Sequence, residues 1–287
     1  MPELPEVETI ARGVDARVRG DRIVEVWFGT HREPFKTPAA RQAKELTDRE
    51  IVAVHRTGKH IVIELGGDEV ARSGKKYSNG QAPAIAAQWI VHLGMTGRLQ
   101  VTTPDGPFAK HTHARLRLQS GRELRFVDPR RFGRLEFRDL GKRQGFAGPG
   151  AEPLAIEQAE FAELFRGRKL AIKAALLNQT LLAGVGNIYA DEGLFRAEIR
   201  PRRRAGRLTR VELEKLRLAL RDVLEQAIRL GGSSVSDYVD AEGARGFFQF
   251  EHCVYQRTGE PCLRCGNAIK RIVVAGRSTH YCAHCQR

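Results

Sequence analysis

The sequence predicts an α+β chain: one N-terminal helix, a β-rich first part, a helical second part and a small metal-binding module. Three observations predict it. Short runs of β-forming residues separated by turns fill positions 23–137, helical periodicity takes over beyond a glycine- and proline-rich stretch at 141–153, and four cysteines near the end form two C-x2-C pairs. A length of 287 residues, set against ~150 per domain, is enough for two cores.

The first helix is predicted over residues 5–18, where Val7, Ile10, Ala11, Val14 and Val18 repeat on one face and Pro5 suits the first turn. Runs at 23–28, 51–55, 60–65, 89–93, 114–118, 123–127 and 134–137 then read as strands of a sandwich or a barrel. Residues 66–83 have no periodicity and many turn formers, which predicts an exposed loop. Past the 141–153 linker, helices are expected at 161–165, 172–182, 187–197 and 208–230. Thr209 with Glu212 forms a capping box for the last of these, and Gly231-Gly232 ends it. The Gly- and Ser-rich segment 232–248 predicts a mobile loop before the cysteine module.

Charge narrows the function. Forty-eight Lys and Arg against 34 Asp and Glu give a formal net charge of +14, so the surface attracts polyanions, of which nucleic acid is the commonest. No stretch approaches the ~20 apolar residues of a membrane-spanning helix, and the start, MPELPEVET, carries carboxylates where an export signal carries basic and apolar residues. A basic soluble protein without a polyanion partner remains open on charge alone.

An odd cysteine number, five, disfavours a closed disulfide framework. Cys262, Cys265, Cys282 and Cys285 form C-x2-C, 16 residues, C-x2-C, the spacing by which two knuckles offer four thiolates to one tetrahedral Zn²⁺. Four thiolates leave no open coordination position, so the metal is expected to be structural. Cys253 is left over as a small hydrophobe.

Loss of the initiator Met is expected before a small residue, which would make Pro2 the amino terminus. An α-amine has a pKa near ~7.7–8.0, so a sizeable neutral fraction is nucleophilic at neutral pH. Attack by this secondary amine on a sugar C1′ gives an iminium with no N–H proton to lose, and the lasting positive charge favours elimination. Glu3 and Glu6 lie beside it as acid or base candidates. Taken alone, the PE-x-PE start also fits a plain helix entry.

MPELPEVET, the lysine of TGKHI, HLGMTGRL, DPRRFG, GVGNIYADE and GRSTHYCAHCQR follow one another in this order. In that ordered set the chain resembles the formamidopyrimidine-DNA glycosylase family along essentially its whole length. Leu4, where the endonuclease VIII branch usually has Gly, favours the oxidised-purine branch. The resemblance implies a β-sandwich flanked by helices, a helix–two-turns–helix module and a zinc finger, divided as 1–140, a linker at 141–153, 154–250 and 251–287. It implies a monomeric, cytoplasmic, bacterial enzyme that flips oxidised purines out of double-stranded DNA, removes them and cuts the strand by β- and δ-elimination. Pro2 matches the nucleophile, Glu3 the acid, Lys59 the β-elimination residue and Arg277 the δ-elimination residue. Met95, Arg130 and Phe132 match the residues that fill the vacated stack, and His111, Lys169, Lys173 and Asn187 match DNA-contacting positions. Asn187 also follows Gly184-Val185-Gly186 at a predicted helix start, where free N–H groups favour phosphate. The run Arg200, Arg202, Arg203, Arg204 reads as long-range attraction only.

One departure is the 66–83 loop, which is longer than the family's usual link and is expected to bulge into solvent. Two rival functions stay open: the same chemistry on oxidised pyrimidines, and a zinc-ribbon protein that binds damage without cutting.

Overall fold

The apolar stripe of the first segment forms α1 (Leu4–Val18), with Val7, Ile10, Ala11, Val14 and Val18 all buried. The fold is seen in a computed structural model, which describes residues 1–31, 34–67, 84–104, 108–235 and 238–287. They fall into two units. The first comprises Met1–Pro2, Glu6–Ala147 and Ser234–Gly246; the second comprises Glu3–Pro5, Gly148–Ser233 and Phe247–Arg287.

In the first unit the strands are β1 (Ile23–Phe28), β2 (Ile51–Thr57), β3 (His60–Gly66), β4 (Ile85–His92), β5 (Arg98–Thr102), β6 (Thr112–Leu118), β7 (Glu123–Val127) and β8 (Arg134–Asp139). They pair as two four-stranded antiparallel sheets, β1-β6-β7-β5 and β2-β3-β4-β8. One apolar core joins them: Ile61, Ile63, Trp89 and Val91 from one sheet meet Leu99, Leu116, Leu124 and Phe126 from the other, with α1 alongside. Alternation of inward apolar and outward polar residues is clear in β8, where Leu135 and Phe137 are buried, whereas β3, β4 and β7 are buried over consecutive residues and so on both faces. Of the two forms that the pattern permits, the sandwich is the one adopted.

Among the described helices and strands of the first unit, two have no counterpart in the sequence reading. The helix α2 (Ala39–Leu46) buries only Gln42 and Leu46, and Gln42 can face inward because it bonds Thr37 O (2.6 Å) and accepts from Trp89 Nε1 (2.9 Å). A core position filled by glutamine erases the apolar repeat. β5 is short and alternates weakly, with Leu99 its one buried residue.

The segment Ser234–Gly246 counts with the first unit. Ala241 joins its core and accepts a bond from Val101 N (3.2 Å), and Asp240 Oδ1 accepts from the N–H of Glu242 and of Ala244, both at 2.9 Å. The described part of the expected mobile loop is thus tied down. Almost all of the 66–83 loop, residues 68–83, lies outside the described residues.

The second unit contains α3 (Gln158–Phe165), α4 (Ile172–Leu176), α5 (Asn187–Arg196) and α6 (Arg210–Arg229). The last has the expected capping box of Thr209 and Glu212. The helix expected over 172–182 stops at Leu176. Asn178 Oδ1 accepts from Thr180 N (3.0 Å) and Oγ1 (2.8 Å), a local turn that competes with helix continuation. α5 sits in the middle of the helical core, buried from Ile188 to Phe195. Its Glu192 accepts the backbone N–H groups of Cys253, Val254 and Tyr255 at 2.9–3.0 Å. The cysteine module ends in a hairpin of β9 (Lys270–Val274) and β10 (Arg277–Tyr281). Ala275 (φ 49°) and Gly276 (φ 71°) make its two-residue turn, both left-handed as such hairpins require.

Candidate functional site

In the first unit, HLGMTG and DPRRFG form two loops in backbone contact. Gly94 has φ 62°, and a Cβ there would lie 2.5 Å from Phe132 C and Gly133 N. Buried Asp128 organises both loops. Its Oδ1 accepts from Thr96 Oγ1 (2.7 Å) and Arg130 N (3.2 Å), and its Oδ2 from Gly133 N (2.8 Å). What the pair presents outward is Met95, 39% exposed, and Phe132, 48% exposed, with the Arg130 guanidinium 4.9 Å from the Phe132 ring centre. A methionine and a phenylalanine left this exposed on loops tied together by Asp128 are available to a partner. His111, also exposed, adopts φ 72° and accepts from Asp128 N (3.0 Å).

Lys59 follows Gly58 (φ 60°) in the turn from β2 to β3 and is only 7% exposed, against the solvated turn lysine that composition alone favours. The rings of His60 and His92 lie 4.8 Å apart beside it. Burial pushes both down to about 4, and the charges of His60 and Lys59 add to the effect on His92, so both imidazoles are neutral at neutral pH. Pro2 is buried in this unit.

The second unit begins its chemistry at Glu3. Glu3 is 4% exposed, and its Oε1 accepts the N–H of Ile188 (3.3 Å) at the start of α5. The glycines explain the seat: a Cβ at Gly186 would fall 2.2 Å from Glu3 Cδ, and one at Gly184 would fall 2.8 Å from Leu4 Cδ1. Gly184 O also accepts from Leu4 N (3.0 Å). The positive end of α5 therefore holds a carboxylate of the chain itself at the Ile188 N–H. Asn187 is half-buried, and its Nδ2 donates to Ser278 O (3.0 Å).

Lys173 is fully buried, with Nζ 2.7 Å from Asp191 Oδ1 and donating to Ser278 O (2.9 Å) and Thr279 Oγ1 (2.8 Å). Burial pushes its amine below the usual lysine range against the pull of Asp191, and the charges of Glu3 and Arg277 act on it too. Arg277 opens β10 on the exposed end of the hairpin. Lys169 is exposed between α3 and α4.

The four cysteines bring their sulfurs within 4.8 Å of one another. Cys262 and Cys285 are 3.9 Å apart and Cys265 and Cys282 3.5 Å, close to the ~3.8 Å edge of a tetrahedron with Zn–S bonds of ~2.3 Å. Backbone N–H groups of Arg264 and Cys285 point at Cys262 and Cys282 sulfurs. The donor set fits one zinc and closes its coordination.

Three family models cover the chain in sequence: the formamidopyrimidine-DNA glycosylase N-terminal domain over residues 1–135, the H2TH domain of that enzyme over 148–239, and the zinc finger found in FPG and IleRS over 259–287. The chain belongs to the formamidopyrimidine-DNA glycosylase family. Among its relatives is the formamidopyrimidine-DNA glycosylase of Solibacter usitatus, 44% identical over the full length of both chains. The Thioalkalivibrio sulfidiphilus enzyme is 41% identical, again over all of both. Among solved structures, a mutant Lactococcus lactis FPG in complex with a Fapy-dG containing DNA matches with TM-score 0.85 and 34% identity, covering 100% of each chain. The wild-type L. lactis protein with an oxidised pyrimidine containing DNA matches at TM-score 0.83 and 34% identity, with the same coverage.

Within this glycosylase fold the expected stack-filling trio is assembled on adjoining loops, and the four thiolates converge. At Lys173, where the resemblance puts a DNA contact, the side chain has no exposed surface and its ammonium is engaged by Asp191, Ser278 O and Thr279 Oγ1. The basic run is partly structural as well. Arg200 donates to Gln286 O and Ala283 O, both at 3.0 Å, and Arg203 pairs with Glu212. Asp128, Asp191 and Glu192 are the organising residues that sequence reading missed. The first lies in DPRRFG and the other two in GVGNIYADE, and an acidic residue inside a motif was the available signal.

Proposed function

We propose that this chain is a bifunctional DNA glycosylase and AP lyase for oxidised purines such as 8-oxoguanine and formamidopyrimidines, acting on double-stranded DNA. The observation that carries the proposal is the buried Pro2-Glu3 start, with the Glu3 carboxylate seated on the α5 N-terminus by a glycine that leaves room for it. The damaged nucleotide leaves the stack, since its C1′ is out of reach inside the duplex. With Met1 removed, the Pro2 amine attacks C1′. The glycosidic bond breaks with its electron pair going to the base, which takes up a proton, and Glu3 is the acid assigned to this stage. The C1′–O4′ bond then opens, its electron pair going to O4′, which takes up a proton, and leaves the iminium. Loss of the C2′ proton expels the 3′ phosphate, with Lys59 assisting, and loss of the C4′ proton expels the 5′ phosphate, with Arg277 assisting. The two neutral imidazoles beside Lys59 add no like charge there. Met95, Arg130 and Phe132 fill the vacated stack. His111, Lys169 and Asn187 take flanking phosphates, Asn187 exchanging its bond to Ser278 for one to DNA. The zinc, when bound, ties the hairpin that carries Arg277 and supplies no chemistry of its own.

The functional division follows residues 1–140 for the chemistry, 141–153 as linker, 154–250 for duplex binding and 251–287 as zinc finger, in a monomer working in the bacterial cytoplasm. No helix of the described residues is long and apolar enough to cross a membrane.

Borohydride added during reaction with an 8-oxoguanine duplex is expected to trap a covalent adduct that Pro2→Ala abolishes. Binding without an adduct would leave only a damage-binding protein. Because the L. lactis relative was captured on an oxidised pyrimidine, thymine-glycol duplexes run in parallel test the rival substrate class. Faster excision there would overturn the purine assignment.

A further inference from the structure

The strand that starts with Arg277 is held from behind by charged and polar groups of two helices, and two of these, Lys173 and Asp191, have no role in the chemistry above. Lys173 of α4 donates to Ser278 O and Thr279 Oγ1. Asp191 of α5 accepts from His280 N (2.9 Å) and lies 3.2 Å from His280 Nδ1. Three consecutive residues after Arg277 are thus each engaged, Ser278 also by Asn187 Nδ2. Lys173 and Asp191 are fully buried and paired at 2.7 Å, while Thr279 is fully buried and His280 is 5% exposed.

A buried ion pair is a poor way to gain stability. The desolvation of two charges roughly cancels their attraction, and apolar residues of like volume serve as well or better. What such a pair does impose is position, because each charge must meet its partner's geometry. On a strand this matters more than on a helix: a slip of one residue turns every side chain to the opposite face. The partner strand β9 cannot set the register against α5, since Lys270, Arg271 and Val273 are exposed and only Val274 is buried.

We infer that Lys173 and Asp191, with His280, are positioning residues for Arg277: they lock β10 against α5 in the one register that aims the Arg277 guanidinium at the sugar after base loss. The inference rests on the assignment of Arg277 to the second strand cut. It accounts for a buried lysine at a position where the family resemblance puts a DNA contact. Lys173 acts on DNA through the strand that it holds.

The test compares the two strand cuts in one reaction on abasic duplex, for zinc-loaded protein checked by metal content and circular dichroism. Asp191→Asn is expected to keep the first cut while lowering the ratio of 3′-phosphate ends to 3′-unsaturated-aldehyde ends by at least about tenfold, since a displacement of ~1 Å can cost on the order of 100-fold and a part of that suffices. A general loss of stability would slow both cuts together and leave the ratio unchanged. Should that variant fold poorly because Lys173 is left unpaired, the charge-free double variant Lys173→Met/Asp191→Leu replaces it, with the same ratio expected to fall. An unchanged ratio in a folded variant, alongside a lowered ratio for Arg277→Ala, overturns the positioning role and leaves the Arg277 assignment standing. An unchanged ratio for Arg277→Ala overturns the assignment itself, and the inference with it.

Discussion

At the residue scale, the glycines of GVGN do more than turn the chain. Gly186 is close to extended and not left-handed; what its position needs is space, since a Cβ would overlap the Glu3 carboxylate at 2.2–2.6 Å. The atoms that must yield belong to the tip of a flexible side chain, so Gly186→Ala should fold and bind zinc normally but displace the acid. Base excision should fall on the order of 100-fold in kcat, the scale of a 1 Å misplacement, with cleavage of a preformed abasic site much less affected. Equal loss on both substrates in single-turnover assays would show that Glu3 is not specific to base release. Sequence reading found Glu3 and the glycines separately, but their juxtaposition spans more than 180 residues, which no local pattern encodes. Lys59 and Lys173 make the same point from the other side. Lysine is a surface residue by composition, and both are buried here, Lys173 by partners that lie elsewhere in the chain.

At the scale of elements, helices with an apolar stripe and explicit caps were the most legible, and α6 is the clearest. Glu212 closes the capping box with Thr209 and pairs with Arg203. The Arg203 hydrogen bond, followed by those from Thr209, holds its carboxyl at about 2, well below the ordinary 4.5. A carboxylate depressed in the folded state stabilises fully above its unfolded value and loses that contribution as pH falls through the folded one. The unfolding midpoint should therefore drop between about pH 4.5 and pH 2, and Glu212→Gln should flatten part of that drop. Thr209→Ala should cost about 1 kcal/mol at neutral pH, measured by urea unfolding. A Glu212→Gln curve parallel to wild type at low pH would count against this coupling. α2 and the foreshortened α4 were not legible, because a buried glutamine and a local Asn178 turn each depend on partners or competition outside the helical repeat.

For the whole molecule, the zinc finger is the part whose folding depends most on something other than its own chain. Its small cluster has Val254, Ile269, Cys262 and Cys282 joined by Phe195 of α5, too little for an independent core. Chelation should unfold the hairpin and abolish DNA binding, while the sandwich keeps its β signal in circular dichroism. Retained binding after metal removal would remove the finger from the DNA interface. The sequence by itself determined the α+β class, the basic charge, the zinc tetrad and the proline at the second residue, because composition, spacing and chain position are local properties. The tertiary structure decided the sandwich over the barrel, the seat of Glu3 on α5 and the burial of Lys173 against Asp191 and β10. Each of these depends on which buried polar groups find one another across long stretches of chain, and burial is set only when the core has formed.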